Sequence, residues 1–177
     1  MIDYGKVFHK AWELVLQDWQ AGKISLEREA DITHHLFAKC LAIMIESGTP
    51  IPYRIHGQET YTTENPREWH KPVDLMLGDS EVLVEVKHWK SPFYDSIWKD
   101  IDKLTRYMNS NSEVKEIVFV TSFDITGYGQ DKIDQYKSYA EEELSKRGWS
   151  EPQWKQMRVL KEEQSIDIYG LYAEKKR

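Results

Sequence analysis

Apolar residues recur at helical spacing over residues 4–20, where Val7, Trp12, Val15, Leu16 and Trp19 fall on one face. A break at Ala21-Gly22 ends this segment. Ser25 is the expected N-cap of a second helix, with Arg28 and Glu29 in its first turn and Leu26, Ala30, Phe37, Leu41 and Met44 continuing the apolar pattern. Ser47-Gly48 closes that helix, and Pro50 and Pro52 bar its resumption. From Tyr53 the period shortens to two. Tyr53, Ile55, Gly57, Glu59 and Tyr61 alternate with Arg54, His56, Gln58 and Thr60, which predicts a strand with one half-buried face. After a polar stretch, KPVDLML and EVLVEVK predict two more strands, joined at Gly78-Asp79-Ser80 as a hairpin. Helical spacing returns over residues 94–109, with Ile97, Ile101, Leu104 and Met108 on one face. The continuous apolar run EIVFVTSF at 116–123 predicts a strand covered on both sides. Residues 131–147 read as a helix, and MRVLK and IDIYGLYA near the C-terminus as two short strands. The predicted order is ααβββαβαββ, a mixed α/β domain.

Length adds that these elements share one core. The chain has 177 residues, with no repeat or linker to divide it. Its 40% apolar content includes seven Trp and ten Tyr, ample large surface for burial. The apolar stretch from Ala38 to Ile45 is too short to cross a membrane and is flanked by Lys39 and Glu46. The first residues lack the order of a signal peptide. The single cysteine, Cys40, lies in an apolar helical pattern, which predicts a core thiol and a cytoplasmic chain. A net charge of −6 argues against a broadly basic nucleic-acid coat, while leaving room for local basic patches beside a carboxylate site.

The hairpin concentrates the chemistry. Alternation places Val73, Leu75 and Leu77 on one face and Asp74 on the other; on the next strand Val82, Val84 and Val86 share a face, opposite Glu85 and Lys87. With a two-residue turn at Asp79-Ser80, Asp74 stands opposite Glu85, their Cβ atoms roughly 4.5–5.5 Å apart. Like charges so close are destabilising unless neutralised, and a hard divalent cation does this through carboxylate oxygens. Lys87, on the same face, would reach a metal-bound water or the charge developing on a phosphate. The competing reading is an exposed, salt-bridged hairpin face. The valines on the reverse side favour a core sheet, where charges need a reason.

Pro72-Val73-Asp74, ten intervening residues and Glu85-Val86-Lys87 together resemble the PD-(D/E)xK motif of restriction-endonuclease-like nucleases. Val73 sets Pro72 one residue further from the aspartate than the motif is usually written. The element order over about residues 25–147, namely helix, three strands, helix, fourth strand and helix, also resembles that family's core. The resemblance implies a central mixed β-sheet flanked by helices, with an extra N-terminal helix and a C-terminal strand pair added to the core. It further implies an Mg²⁺-dependent endonuclease acting on DNA, with Mn²⁺ substituting and Asp74, Glu85 and Lys87 catalytic. Family members often add an acid from the first core helix. Glu29 is preferred to Glu27 here because it shares a helical face with Ile32, Leu36 and Ile43; the competing reading is a solvated acid favoured by the helix dipole.

Lys99, Lys103 and Arg106, at i, i+4 and i+7, form with Lys90 the best candidate for a phosphate-contacting stripe; a solvated helix face competes with it. Trp89 and Trp98 are candidates for base stacking or for packing. Alternation turns His88 away from the carboxylate face, and the histidines make no zinc pattern with Cys40. Gly127-Tyr128-Gly129 lacks the lysine of a phosphate-cradling loop. The sequence leaves RNA open as a substrate and leaves open a catalytically inactive scaffold that binds a partner. Cutting both strands of a duplex from one domain would call for a homodimer.

Overall fold

Ten elements follow the predicted order in the computed structural model, which describes residues 3–48, 55–61, 71–78, 81–89, 96–161 and 164–177. They are α1 (Tyr4–Gln20), α2 (Glu29–Glu46), β1 (Ile55–Tyr61), β2 (Lys71–Leu77), β3 (Val82–Trp89), α3 (Ser96–Ser110), β4 (Glu116–Asp124), α4 (Gln130–Lys146), β5 (Gln153–Lys161) and β6 (Gln164–Lys176). The strands form one mixed six-stranded sheet in the order β1-β2-β3-β4-β6-β5. Only β3 and β4 run parallel, as the α3 crossover between them requires; the other neighbours are antiparallel. The two C-terminal strands are longer than their apolar cores suggested, and β6 lies inside the sheet beside β4.

Two apolar layers sandwich this sheet. On one side Phe8, Trp12, Leu16 and Trp19 of α1 and Ile32, Leu36 and Cys40 of α2 pack on Leu75, Leu77, Val82, Val84, Val86, Val118 and Val120. On the other, Ile97, Ile101, Leu104 and Met108 of α3 and Ile133 and Leu144 of α4 pack on Leu83, Ile117, Phe119 and Leu171. Strand β4 is therefore buried on both faces, as its unbroken apolar run requires. Cys40 is a core thiol, and burial pushes it up to about 12. No helix among the described residues is long and apolar enough to cross a membrane.

The start of α2 differs from expectation. The helix begins at Glu29, not after Ser25, and Asp31 reaches back to accept the backbone N–H groups of Arg28 at 3.0 Å and Glu27 at 3.2 Å. Leu26, only 3% exposed, anchors the preceding segment in the core. The Asp31 carboxylate, from within the first turn, therefore takes the Glu27 and Arg28 donors that a cap at Ser25 would otherwise have to cover. At the hairpin, Gly78 has φ +66°, a left-handed conformation that glycine adopts without strain; Asp79 and Ser80 of the expected turn lie outside the described residues.

Candidate functional site

Strand β2 parts from β3 at Asp74. The ladder pairs Leu77 with Val82, Met76 with Leu83 and Leu75 with Val84, and stops there. In place of the next rung, the Val86 N–H donates to Asp74 Oδ2 at 2.7 Å. The expected opposition of Asp74 and Glu85 thus becomes a side chain wedged into the strand split. The faces change with it. Leu75 and Leu77 pack in the α1/α2 layer, but Val73 belongs to the α3/α4 layer with Leu83, so it does not share their face as simple alternation requires. A regular pleat carries alternation only while the ladder is intact.

Glu85 and Lys87 lie on the α3 side of β3, opposite Val82, Val84 and Val86, as alternation predicts. Glu85 is 3% exposed and holds one ammonium at each oxygen: Lys87 Nζ at 2.9 Å from Oε1 and Lys103 Nζ at 2.6 Å from Oε2. Lys87 also meets Glu29 Oε1 at 3.2 Å and Asp100 Oδ2 at 3.8 Å. Asp100 Oδ1 lies 3.8 Å from Lys103. Glu29 arrives from the α1/α2 layer, while Asp100 and Lys103 arrive from α3. The strand split is where the two layers meet.

Four carboxylates and two ammoniums leave this cluster acidic. Burial, and then the Glu85 charge, push Asp74 up to about 6; the Val86 N–H and Lys87 pull the other way. Asp100 is likewise raised by burial and by Glu85, against Lys87 and Lys103. Burial alone would lower the Lys87 ammonium, but Glu85, Asp74 and Asp100 together hold it above the ordinary lysine range. Asp74 and Glu29 line a cleft of about 590 Å³ between α2 and β2, together with Arg28, Ala30, Thr33, His34, Phe37 and Leu75 among the described residues.

The donor chemistry fits a hard divalent cation, because every acid in the cluster offers oxygen and the surplus is two negative charges if all are ionised. The arrangement is nevertheless ion-paired. Among the described residues no three Asp, Glu, His or Cys side chains converge as a ready ligand set. Lys87 stands between Glu85 and Glu29, with Asp74 on the cleft side. Glu27 is exposed and contributes its backbone N–H to Asp31, so geometry brings Glu29 to the cluster in preference to Glu27.

The expected basic stripe does not hold together. Lys99 and Arg106 are on the exposed side of α3, but Lys103 is 7% exposed and turned to Glu85. Lys90 lies outside the described residues. The missed signal was Tyr107, buried to 1% exposure, which widens the apolar face of α3 so that Asp100, Lys103 and Tyr107 share an i, i+3, i+7 line along its edge. Asp100 lies on the same edge and meets both Lys87 and Lys103. Trp98 packs edge-on to Tyr139 with the Arg147 guanidinium over its ring, a structural environment rather than a free stacking platform. His88 faces the other layer, as predicted, with Nδ1 at 2.6 Å from Ser122 Oγ and its ring edge-on to Trp19.

The chain matches no protein-family model, no curated protein and no solved structure. The mixed α/β sheet and this cluster are therefore the ground on which a functional reading stands.

Proposed function

We propose that this chain is a metal-dependent nuclease that hydrolyses DNA phosphodiester bonds, acting as an endonuclease. The observation that carries the reading is the ion-paired cluster of Glu85, Lys87 and Glu29 beside Asp74 at the strand split, with Asp74 and Glu29 lining a cleft. Carboxylates with a surplus of negative charge and a neighbouring lysine suit phosphodiester hydrolysis. The order helix, three strands, helix, strand, helix supports a restriction-endonuclease-like core around them. Asp74, Glu85 and Glu29 would hold Mg²⁺ or Mn²⁺, which when bound supplies polarisation of a phosphate oxygen and acidification of a water. Lys87 keeps its proton beside Glu85, so its role is that of a cation: it orients the attacking water and faces the charge that accumulates on phosphate. The buried lone thiol of Cys40 supports a reducing, cytoplasmic setting. One cluster per chain supports a homodimer for cutting both strands.

The test is Mg²⁺-dependent cleavage of supercoiled plasmid, single-stranded DNA and RNA by wild type and by Lys87→Ala. Cleavage of DNA by wild type, with at least a hundredfold loss in the mutant, is expected. Undiminished activity in the mutant removes the role of Lys87.

A second reading rests on a different observation. Both Glu85 oxygens are engaged by lysines, which suits a nuclease-like scaffold that binds a protein or nucleic-acid partner without cutting it. Titration calorimetry with Mn²⁺ separates the two, because a scaffold has no need of a cation at Asp74. Absence of heat, with or without DNA, favours the scaffold.

A further inference from the structure

Glu116 and Glu174 meet beneath the first turn of α1. They stand on the neighbouring strands β4 and β6, where Glu116 pairs in register with Lys176 and Glu174 with Val118. Their carboxyl groups are hydrogen-bonded to one another. Two carboxylates offer only acceptors, so this bond requires a proton. Glu116 is the one that keeps it. It is 6% exposed and its Oε1 has no hydrogen-bond partner, which costs an anion far more than a neutral acid. Glu174 has what an anion needs. The Tyr172 hydroxyl donates to its Oε2 at 2.9 Å, and Lys176 Nζ lies 3.0 Å from its Oε1 but 4.0 Å from Glu116 Oε1. The helix closes over this pair at Gly5, where an added Cβ would fall 2.1 Å and 2.8 Å from the two Glu116 carboxyl oxygens. The same turn covers the β2–β3 hairpin, because the Tyr4 ring rests against Gly78. Other charged groups nearby are engaged. Asp3 accepts the Lys6 N–H at 3.1 Å and pairs with the Lys6 ammonium at 3.3 Å; Lys115 is turned to Glu81 at 2.6 Å. His9 meets Tyr172 edge-on, with Nε2 3.0 Å from Gln153 Oε1.

We propose that Glu116 and Glu174 form a proton-dependent latch on the N-terminal turn of α1: the proton they share keeps that turn seated on the sheet, and its loss to water releases residues 4–7 and lifts Tyr4 from Gly78. Once the proton is gone, two negative charges face each other under Gly5 with Lys176 as their counterion. The cheapest relief is to admit water by lifting the first turn, because Phe8, fully buried, anchors the helix beyond it. Burial and the Glu174 charge, against Lys176, hold Glu116 up at about 7, so the latch is closed in mild acid and opens as pH rises through neutrality. Nothing in this latch depends on the nuclease reading.

The experiment is amide hydrogen exchange read residue by residue by NMR and corrected for intrinsic rates, on wild type, Glu116→Gln, Glu174→Gln and His9→Gln. The Val7 N–H, which donates to Asp3 O at 3.1 Å, reports the first turn. In wild type its protection should fall about tenfold or more between about pH 6 and about pH 8.5, while that of Trp12, Val15 and Leu16 holds. Glu116→Gln puts an amide donor where the proton was and should abolish the fall. Glu174→Gln, which offers a donor to an ionised Glu116, should abolish it as well. His9→Gln should keep it. Constant protection of Val7 in wild type overturns the latch. So does a fall shared equally by the whole helix, a fall that survives in both glutamine variants at 116 and 174, or one that vanishes in His9→Gln. If Glu116→Gln does not fold, carboxyl ¹³C shifts of wild type decide: Glu116 titrating near neutrality supports the latch, and titration complete below about pH 5 overturns it.

Discussion

The Asp74 carboxylate accepts the Val86 N–H at 2.7 Å, in the place where a regular β2–β3 ladder would continue. One side chain therefore has two duties: it closes a backbone hydrogen bond and carries charge to the cleft. Substitution separates them. Asp74→Asn keeps an oxygen acceptor and removes the charge, so the fold should remain at least as stable as wild type near neutral pH while the proposed divalent-cation binding should be lost. Asp74→Ala leaves the Val86 N–H without its partner and should cost about 1–3 kcal/mol more than the asparagine. Urea unfolding of the three proteins checks this; equal stability of the two variants would show that the Val86 bond contributes nothing.

The same residue sets a pH window. Its folded-state value of about 6 lies above the ordinary 3.8, so ionisation is harder in the native protein. Its favourable contribution to stability is then fully present below about pH 4 and lost as pH rises through about 6. A divalent cation selects the ionised form. If the proposed site takes Mg²⁺, millimolar Mg²⁺ should raise the melting temperature at about pH 8 and hardly at all at about pH 5. A shift of equal size at both pH values would mean that the ion binds elsewhere.

A second buried carboxyl lies away from the cluster, at the first turn of α1. Glu116 is 6% exposed and raised to about 7 by burial, with Glu174 adding to the rise and Lys176 opposing it. The sign is the same: stability from this group is lost as pH climbs through about 7. Glu116→Gln cannot ionise, so its melting temperature should gain on wild type steadily between about pH 5 and pH 8. Parallel melting curves across that range would contradict this.

Gly5 stands directly against that carboxyl. A Cβ built on Gly5 would fall 2.1 Å from Glu116 Oε2. Alanine ordinarily strengthens a helix interior by roughly 0.5–1 kcal/mol relative to glycine. Here the order should reverse, with Gly5→Ala destabilising by about 1–3 kcal/mol because the buried carboxyl must move. In a Glu116→Ala background the penalty should vanish, and a double-mutant cycle reads the difference directly.

Much of this architecture was legible from periodicity. The ten elements, the hairpin and the double burial of β4 follow from where apolar residues recur along the chain, because a local period dictates which side of a helix or strand avoids water. The placement of Glu85 and Lys87 together, with His88 turned away, follows from strand alternation alone. The N-cap of α2 was misplaced because Asp31, within the helix, satisfies donors that Ser25 was expected to cover.

Local pattern along the chain thus accounts for the set of elements and for Glu85 and Lys87 sharing one face of a strand. Packing across the sheet is what moves Val73 to the other layer where the β2–β3 ladder stops, brings Glu29 to Lys87 from the opposite helical layer, and sets Lys103 on Glu85 with Asp100 beside both lysines. The physical reason is range. Hydrophobic period acts between neighbours along the chain, whereas a buried charge finds its partner only when distant segments are packed together and the cost of desolvation must be met across the sheet.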